Sequence, residues 1–164
     1  MKKGTEMIDL LRVSRVFKEL TDDELQEVAN CCQRVSLEIG ERIFEAETPA
    51  EYLFIVGRGS VELRFRVTHY HATKEIILER KFKGDTLGWS ALAEPYVYTL
   101  SAVTMQDSEL LKLKASDIKG VCEQNKRIGY VLMKNISEII GERFASIQRL
   151  VIDLIQDNLN EKQL

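Results

Sequence analysis

The chain has 164 residues, 45% of them hydrophobic and 30% charged, and a formal net charge of −3 at pH 7, the size and balance of one globular domain with its own core. Its longest apolar run, Tyr52-Leu53-Phe54-Ile55-Val56, is five residues against the roughly 20 of a membrane-spanning helix, and Glu6 and Asp9 interrupt any signal-peptide core after Met1-Lys2-Lys3. A cytoplasmic protein without a membrane segment is expected, and the acidic balance removes the electrostatic reason to expect nonspecific nucleic-acid binding.

The first elements are helical. Met7, Leu10 and Leu11 mark an N-terminal helical segment, and Thr21 followed by Glu24 is a capping-box start for a helix that carries Leu25, Val28 and Ala29 and ends near Cys32. From about Gln33 to Leu113 the pattern changes to period-two runs. Val35, Leu37 and Ile39 form one; Val61, Leu63, Phe65 and Val67 another; Ile76, Leu78, Arg80 and Phe82 a third. Turn residues at Gly40-Glu41, Gly57-Arg58-Gly59 and Gly84-Asp85 separate them. Seven or eight short strands at this spacing predict an antiparallel jelly roll or barrel, each strand with one apolar and one wet face.

After Leu113 the strand pattern stops. Ser116 is placed as the N-cap of a short helix through Cys122, and a proline-free helix is predicted from Lys126 to about Leu159. Met133, Ile140, Ile147 and Leu154, with Ile136, Phe144 and Val151 between them, follow the spacing of a heptad seam. A helix of this length spans roughly 50 Å at about 1.5 Å per residue, more than one small barrel can cover, so these seven residues are assigned to a parallel homodimer interface. The alternative is a helix folded back over its own barrel. Gly129 and Gly141 are weak points, each costing about 1 kcal/mol relative to Ala. Residues 1–124 are taken as the N-terminal helices, β-roll and short helix, and 125–164 as the long helix and tail. Cys31, Cys32 and Cys122 fit neither a disulfide framework nor a zinc spacing, and structural thiols are favoured over redox sensors.

Gly40-Glu41-Arg42-Ile43-Phe44, then Tyr52 to Val61, then Gly84-Asp85-Thr86-Leu87-Gly88 and the long helix, occur in an order that resembles the cyclic nucleotide-binding domain, the regulatory β-roll found in catabolite activator protein. The resemblance runs over roughly residues 10 to 150. It implies a mainly β jelly roll with flanking helices, a dimerising C-terminal helix and a ligand held by a short helix and loop, the phosphate-binding cassette. By resemblance the cassette residues are Gly88, Trp89, Ser90, Ala91, Leu92, Tyr96, Val97, Tyr98 and Thr99. Trp89 stands where the family has the glutamate that accepts a hydrogen bond from the ribose. Tyr96 or Val97 stands where it has the arginine that pairs with the cyclic phosphate.

The missing cation also follows from composition, because Gly84 to Leu111 contains no lysine or arginine. Losing a charge-assisted hydrogen bond removes about 1.5–3 kcal/mol, one to two orders of magnitude in affinity. A half-site remains conceivable: backbone N–H groups of Ser90, Ala91 and Leu92 at a helix start, the Ser90 hydroxyl, and a cation such as Arg58, Arg64 or Arg66 reaching in from a strand. His69-Tyr70-His71 reads as a hairpin tip rather than a metal site. Neither catalytic residues nor a metal or cofactor is expected. Two readings stay open: a sensor for a cyclic nucleotide or another small anionic or planar ligand, and a ligand-free interaction dimer whose pocket is filled by Trp89, Tyr96 and Tyr98. The family's DNA-binding members carry a further helix-turn-helix domain after the long helix, so direct DNA binding is not expected from these 164 residues.

Overall fold

The computed structural model describes residues 2–69 and 72–161. Helix α1 (Lys2–Val13) leads through a 3-10 turn (Arg15–Phe17) into α2 (Asp22–Ala29). The capping box at the start of α2 is formed: the Glu24 N–H donates to the Thr21 hydroxyl and the Thr21 N–H to the Glu24 carboxylate. These groups satisfy helix-start donors that would otherwise be orphaned. Eight strands follow: β1 (Cys32–Leu37), β2 (Arg42–Phe44), β3 (Tyr52–Arg58), β4 (Val61–His69), β5 (Ala72–Lys81), β6 (Thr86–Leu87), β7 (Ser101–Thr104) and β8 (Ser108–Lys114). They form two four-stranded antiparallel sheets, in the orders β1-β8-β3-β6 and β2-β7-β4-β5. Helices α3 (Ala115–Gln124) and α4 (Lys126–Glu161) complete the chain. Among the described residues no helix is long and apolar enough to cross a membrane.

The core has two compartments, and β3 belongs to both. Phe54 and Val56 face the inter-sheet space with Val61, Leu63, Leu87, Leu100, Ala102 and Leu110. Leu53 and Ile55 face the other way, against the helical layer of Leu11, Phe17, Leu25, Val28, Ile118, Ile128, Leu132 and Ile136. A strand covered on both faces has no wet side, which is why Tyr52–Val56 is continuously apolar instead of alternating.

Three expectations need correction. Phe65 and Val67 do not continue the buried face of Val61 and Leu63. β7 pairs with β4 only from Val61 to Arg64, and the register shifts at Leu63/Arg64. Beyond that point, among the described residues, β4 and β5 pair only with each other, and Phe65, Ile76, Ile77 and Leu78 are exposed, with Phe82 exposed just after β5. Ser116 is not an N-cap: α3 already starts at Ala115, and the Ser116 hydroxyl donates to the Asp117 carboxylate. Ile136, assigned to a free seam, is 1% exposed and packs into its own domain's core, with Ile140 partly buried beside it. The Asn135 amide next to Ile136 donates to the carbonyls of Val16 and Lys18, holding this part of α4 on the 3-10 turn. From Phe144 onward α4 leaves that surface, and Phe144, Ile147, Val151 and Leu154 are exposed, as is Met133 earlier in the helix.

His69 ends β4 opposite Ala72, while Tyr70 and His71 of the proposed hairpin tip lie outside the described residues. The three thiols lie partly buried against the helical compartment. Burial pushes all three up, Cys32 to about 12, and keeps them in the unreactive protonated form at neutral pH.

Candidate functional site

The cassette begins at Gly88, whose φ of +77° a residue with a β-carbon adopts only under strain. Space forbids a side chain as well: a β-carbon there would lie 2.7 Å from the Tyr52 carbonyl oxygen and 3.2 Å from Cε1 of Tyr98. Trp89–Leu92 then form one 3-10 turn in which the Ala91 N–H donates to the Gly88 carbonyl at 3.0 Å. One of the three donors expected for an anion is thus taken up by the turn itself. The return segment is pinned by Tyr98. Its hydroxyl donates to the Tyr52 carbonyl at 2.8 Å and accepts from the Tyr52 N–H at 3.1 Å. Its ring stacks on Phe44 with centroids 4.0 Å apart and planes 12° from parallel. Burial raises the phenol above the ordinary tyrosine value, which keeps this donor protonated.

Between this segment and the long helix lies a cavity of about 400 Å³, within the range that takes small-molecule ligands. Leu63, Leu87, Leu100 and Phe44 supply apolar surface from the inter-sheet compartment; Gly88, Trp89, Ser90, Tyr98 and Thr99 supply the cassette side. Leu78, Glu79 and Lys81 of β5, and Ile139, Glu142, Arg143, Ser146, Ile147 and Leu150 of α4, form a further wall, with Arg15 from the N-terminal turn. The charged groups of this wall are interlinked. Arg15 donates both terminal nitrogens to Glu142, at 2.7 and 2.8 Å. Lys81 pairs with one oxygen of Glu79, and Arg143 stands 3.9 Å from the other.

A β-roll of two four-stranded sheets, a short turn opening on a positive-φ glycine and a long helix crossing the cavity are all in place, and the family model described as "Cyclic nucleotide-binding domain" matches residues 34–125. The chain belongs to this family. Among solved structures, a "Putative Cyclic nucleotide-binding protein" from Geobacter metallireducens is 29% identical over 83% of this chain and 96% of its own, with a TM-score of 0.68. The catabolite activator protein of Thermus thermophilus, 24% identical, covers 87% of this chain and 63% of its own at a TM-score of 0.73. The regulatory domain of Toxoplasma gondii PKA, solved with cAMP, shares the fold at 18% identity and a TM-score of 0.67, covering 73% of this chain and 44% of its own. No curated protein matches the chain.

Within the family's cassette the cavity brings together Gly88, Trp89, Ser90, Tyr98 and Thr99 and leaves out Ala91, Leu92, Tyr96 and Val97. Ala91 and Leu92 are buried in the helical compartment. Val97 bridges to Pro49. Tyr96, at a φ of +56°, is exposed and carries the Lys119 ammonium 3.9 Å above its ring. The three aromatic rings therefore do not pack together through the roll: Tyr98 serves as an internal strut, Tyr96 faces outward, and of the three Trp89 alone lines the open space without a stacked ring partner among the described residues. Arg58, Arg64 and Arg66 do not reach it either. Arg58 pairs with Glu109, Arg64 with Glu62 and Glu75, and Arg66 with Glu45.

Sequence reasoning missed Arg15, Lys81 and Arg143 because it sought cations only near the cassette and on the strand faces around Arg58, Arg64 and Arg66. The available signal was the long helix itself. A helix that crosses a β-roll presents to it whatever polar residues follow its core face, here Glu142, Arg143 and Ser146 after Ile136, Ile139 and Ile140.

Proposed function

We propose that this chain is the ligand-sensing part of a non-enzymatic regulatory system in the cytoplasm, that its cavity takes a small anionic or planar molecule, and that it binds cyclic AMP weakly or not at all. The observation that carries the reading is the open cavity of about 400 Å³ bordered by a cassette without a cation. Trp89 replaces the family's ribose-binding glutamate, and Tyr96 or Val97 its phosphate-binding arginine. Tyr96 points away from the cavity and Tyr98 is committed to Phe44 and Tyr52, which speaks against the reading of a pocket plugged by aromatic rings.

The same proposal makes the protein a homodimer through α4. Its support is the face bearing Phe144, Ile147, Val151 and Leu154, which is apolar, exposed and carried on a 36-residue helix. Isolated helices with such a face are marginal, and a second copy covers it with a face of the same spacing. Calorimetry with cyclic AMP tests the ligand reading. No heat, or a Kd weaker than about 1 μM, equivalent to roughly −8.2 kcal/mol, is expected; a tighter Kd overturns the reading of the cassette. Native mass spectrometry of freshly purified protein reads the oligomeric state and any retained ligand together.

A further inference from the structure

The cavity wall formed by β5 and α4 carries an excess of positive charge that the cassette lacks. Among the described residues three cations line the cavity, Arg15, Lys81 and Arg143, against two carboxylates, Glu79 and Glu142. Arg15 and Glu142 satisfy each other in a two-pronged pair. Lys81 and Arg143 are left sharing the single carboxylate of Glu79. The sharing is unequal: Lys81 holds one oxygen closely, whereas the Arg143 guanidinium approaches the other only to 3.9 Å and, among the described residues, makes no side-chain hydrogen bond. Its side chain is only 22% exposed, and that of Lys81 16%. A guanidinium presents five N–H donors in a planar fork. Holding such a group largely out of water with one distant, shared carboxylate is unfavourable unless a further anion completes it.

We propose, resting on the cavity reading above, that the ligand is a small organic monoanion with a planar, mostly apolar body, bound with its anionic head on Arg143 and Lys81 rather than on the cassette. One negative charge balances the one excess cation. The apolar body lies against Leu63, Leu87 and Leu100, beside Trp89. Glu79 competes with the ligand for both cations and so sets the affinity. Arg143 belongs to α4 and Lys81 to β5, so the anionic head also ties the long helix to the β-roll.

A pair of probes separates the charge from the cavity. 8-Anilinonaphthalene-1-sulfonate has an aromatic body with one sulfonate; N-phenyl-1-naphthylamine has the same body without charge. Both are titrated into the 164-residue chain while the emission of Trp89, its only tryptophan, is followed. Both should quench Trp89, each displacing the other. Lys81→Gln with Arg143→Gln should weaken the sulfonate probe about ten- to a hundredfold and leave the neutral probe unchanged, which also reports that the variant is folded. Glu79→Gln should tighten the sulfonate probe severalfold and leave the neutral probe unchanged, a selective gain that loosened packing, which exposes apolar surface to both probes, does not produce. Sulfonate affinity within twofold of wild type in the double variant, with both probes still quenching, overturns the anionic pole and leaves the cavity reading standing. If neither probe quenches Trp89, the cavity reading falls and the inference with it. Sulfonate quenching that the neutral probe fails to displace places the sulfonate on the exposed helix face and also counts against the proposal.

Discussion

Replacing Tyr98 by Phe removes one oxygen atom and leaves the ring on Phe44 in place, so its effect isolates the strut between the cassette and β3. That oxygen makes two hydrogen bonds, donating to the Tyr52 carbonyl at 2.8 Å and accepting from the Tyr52 N–H at 3.1 Å. Each is worth about 1 kcal/mol net, and the half-buried backbone groups left behind lose a partner that water replaces poorly, adding up to about 1 kcal/mol more. The expected destabilisation is about 2–3 kcal/mol, a fall in Tm of about 4–12 °C for a chain of this size. The internal control is Tyr96→Phe. Tyr96 is exposed and its ring contact with Lys119 does not need the hydroxyl, so this variant should stay within about 0.5 kcal/mol of wild type. Urea and thermal unfolding followed by circular dichroism measure both. If Tyr98→Phe is as harmless as Tyr96→Phe, Tyr98 is not a strut, and its ring becomes a candidate for ligand contact again.

Val151→Asp with Leu154→Asp should convert a dimer into a folded monomer in sedimentation at micromolar concentration. These residues are exposed in the single chain, unlike Ile140, whose replacement would also damage the core; a wild-type monomer refutes the dimer outright. The two glycines of α4 should respond oppositely to alanine. Gly141 has open space around its missing β-carbon and should gain about 1 kcal/mol from higher helix propensity, whereas a β-carbon on Gly129 meets Cys122 Cβ at 3.1 Å and its carbonyl oxygen at 3.3 Å, so there the gain should vanish or reverse in urea unfolding. Hydrogen bonds from Lys134 and Arg15 hold Glu19 and Glu142 below the ordinary glutamate value of 4.5. Carboxylates depressed in the folded state stabilise it above the unfolded value and lose that contribution as pH falls through the folded one, so wild-type urea midpoints should drop below about pH 4.5 more steeply than those of Glu19→Gln with Glu142→Gln. Parallel curves would show that the pairs contribute nothing.

Features that depend on neighbours along the chain were legible without coordinates. The capping box of Thr21 and Glu24, the turn glycines at 40, 59 and 84, the strand runs and the helix beginning at Lys126 all arise from local propensity and periodicity, and their order sufficed to indicate the family. What lies against each face was not legible, because periodicity identifies a face but not its cover. Ile136 and Val151 have the same chemistry on the same helix, yet one is buried by its own domain and the other is exposed, since only the first half of α4 rests on the 3-10 turn and α3. Tyr96 and Tyr98 are two residues apart, yet one faces solvent and the other locks β3, because the positive φ at Tyr96 and the stack on Phe44 are tertiary outcomes. The charge of the cavity is the clearest case. It is set by Lys81 on a strand, Arg143 on a helix and Arg15 in a turn, which are distant in sequence and meet only when the roll closes and α4 crosses it. A pocket's potential is a sum over everything that surrounds it, and that sum does not exist until the chain has folded.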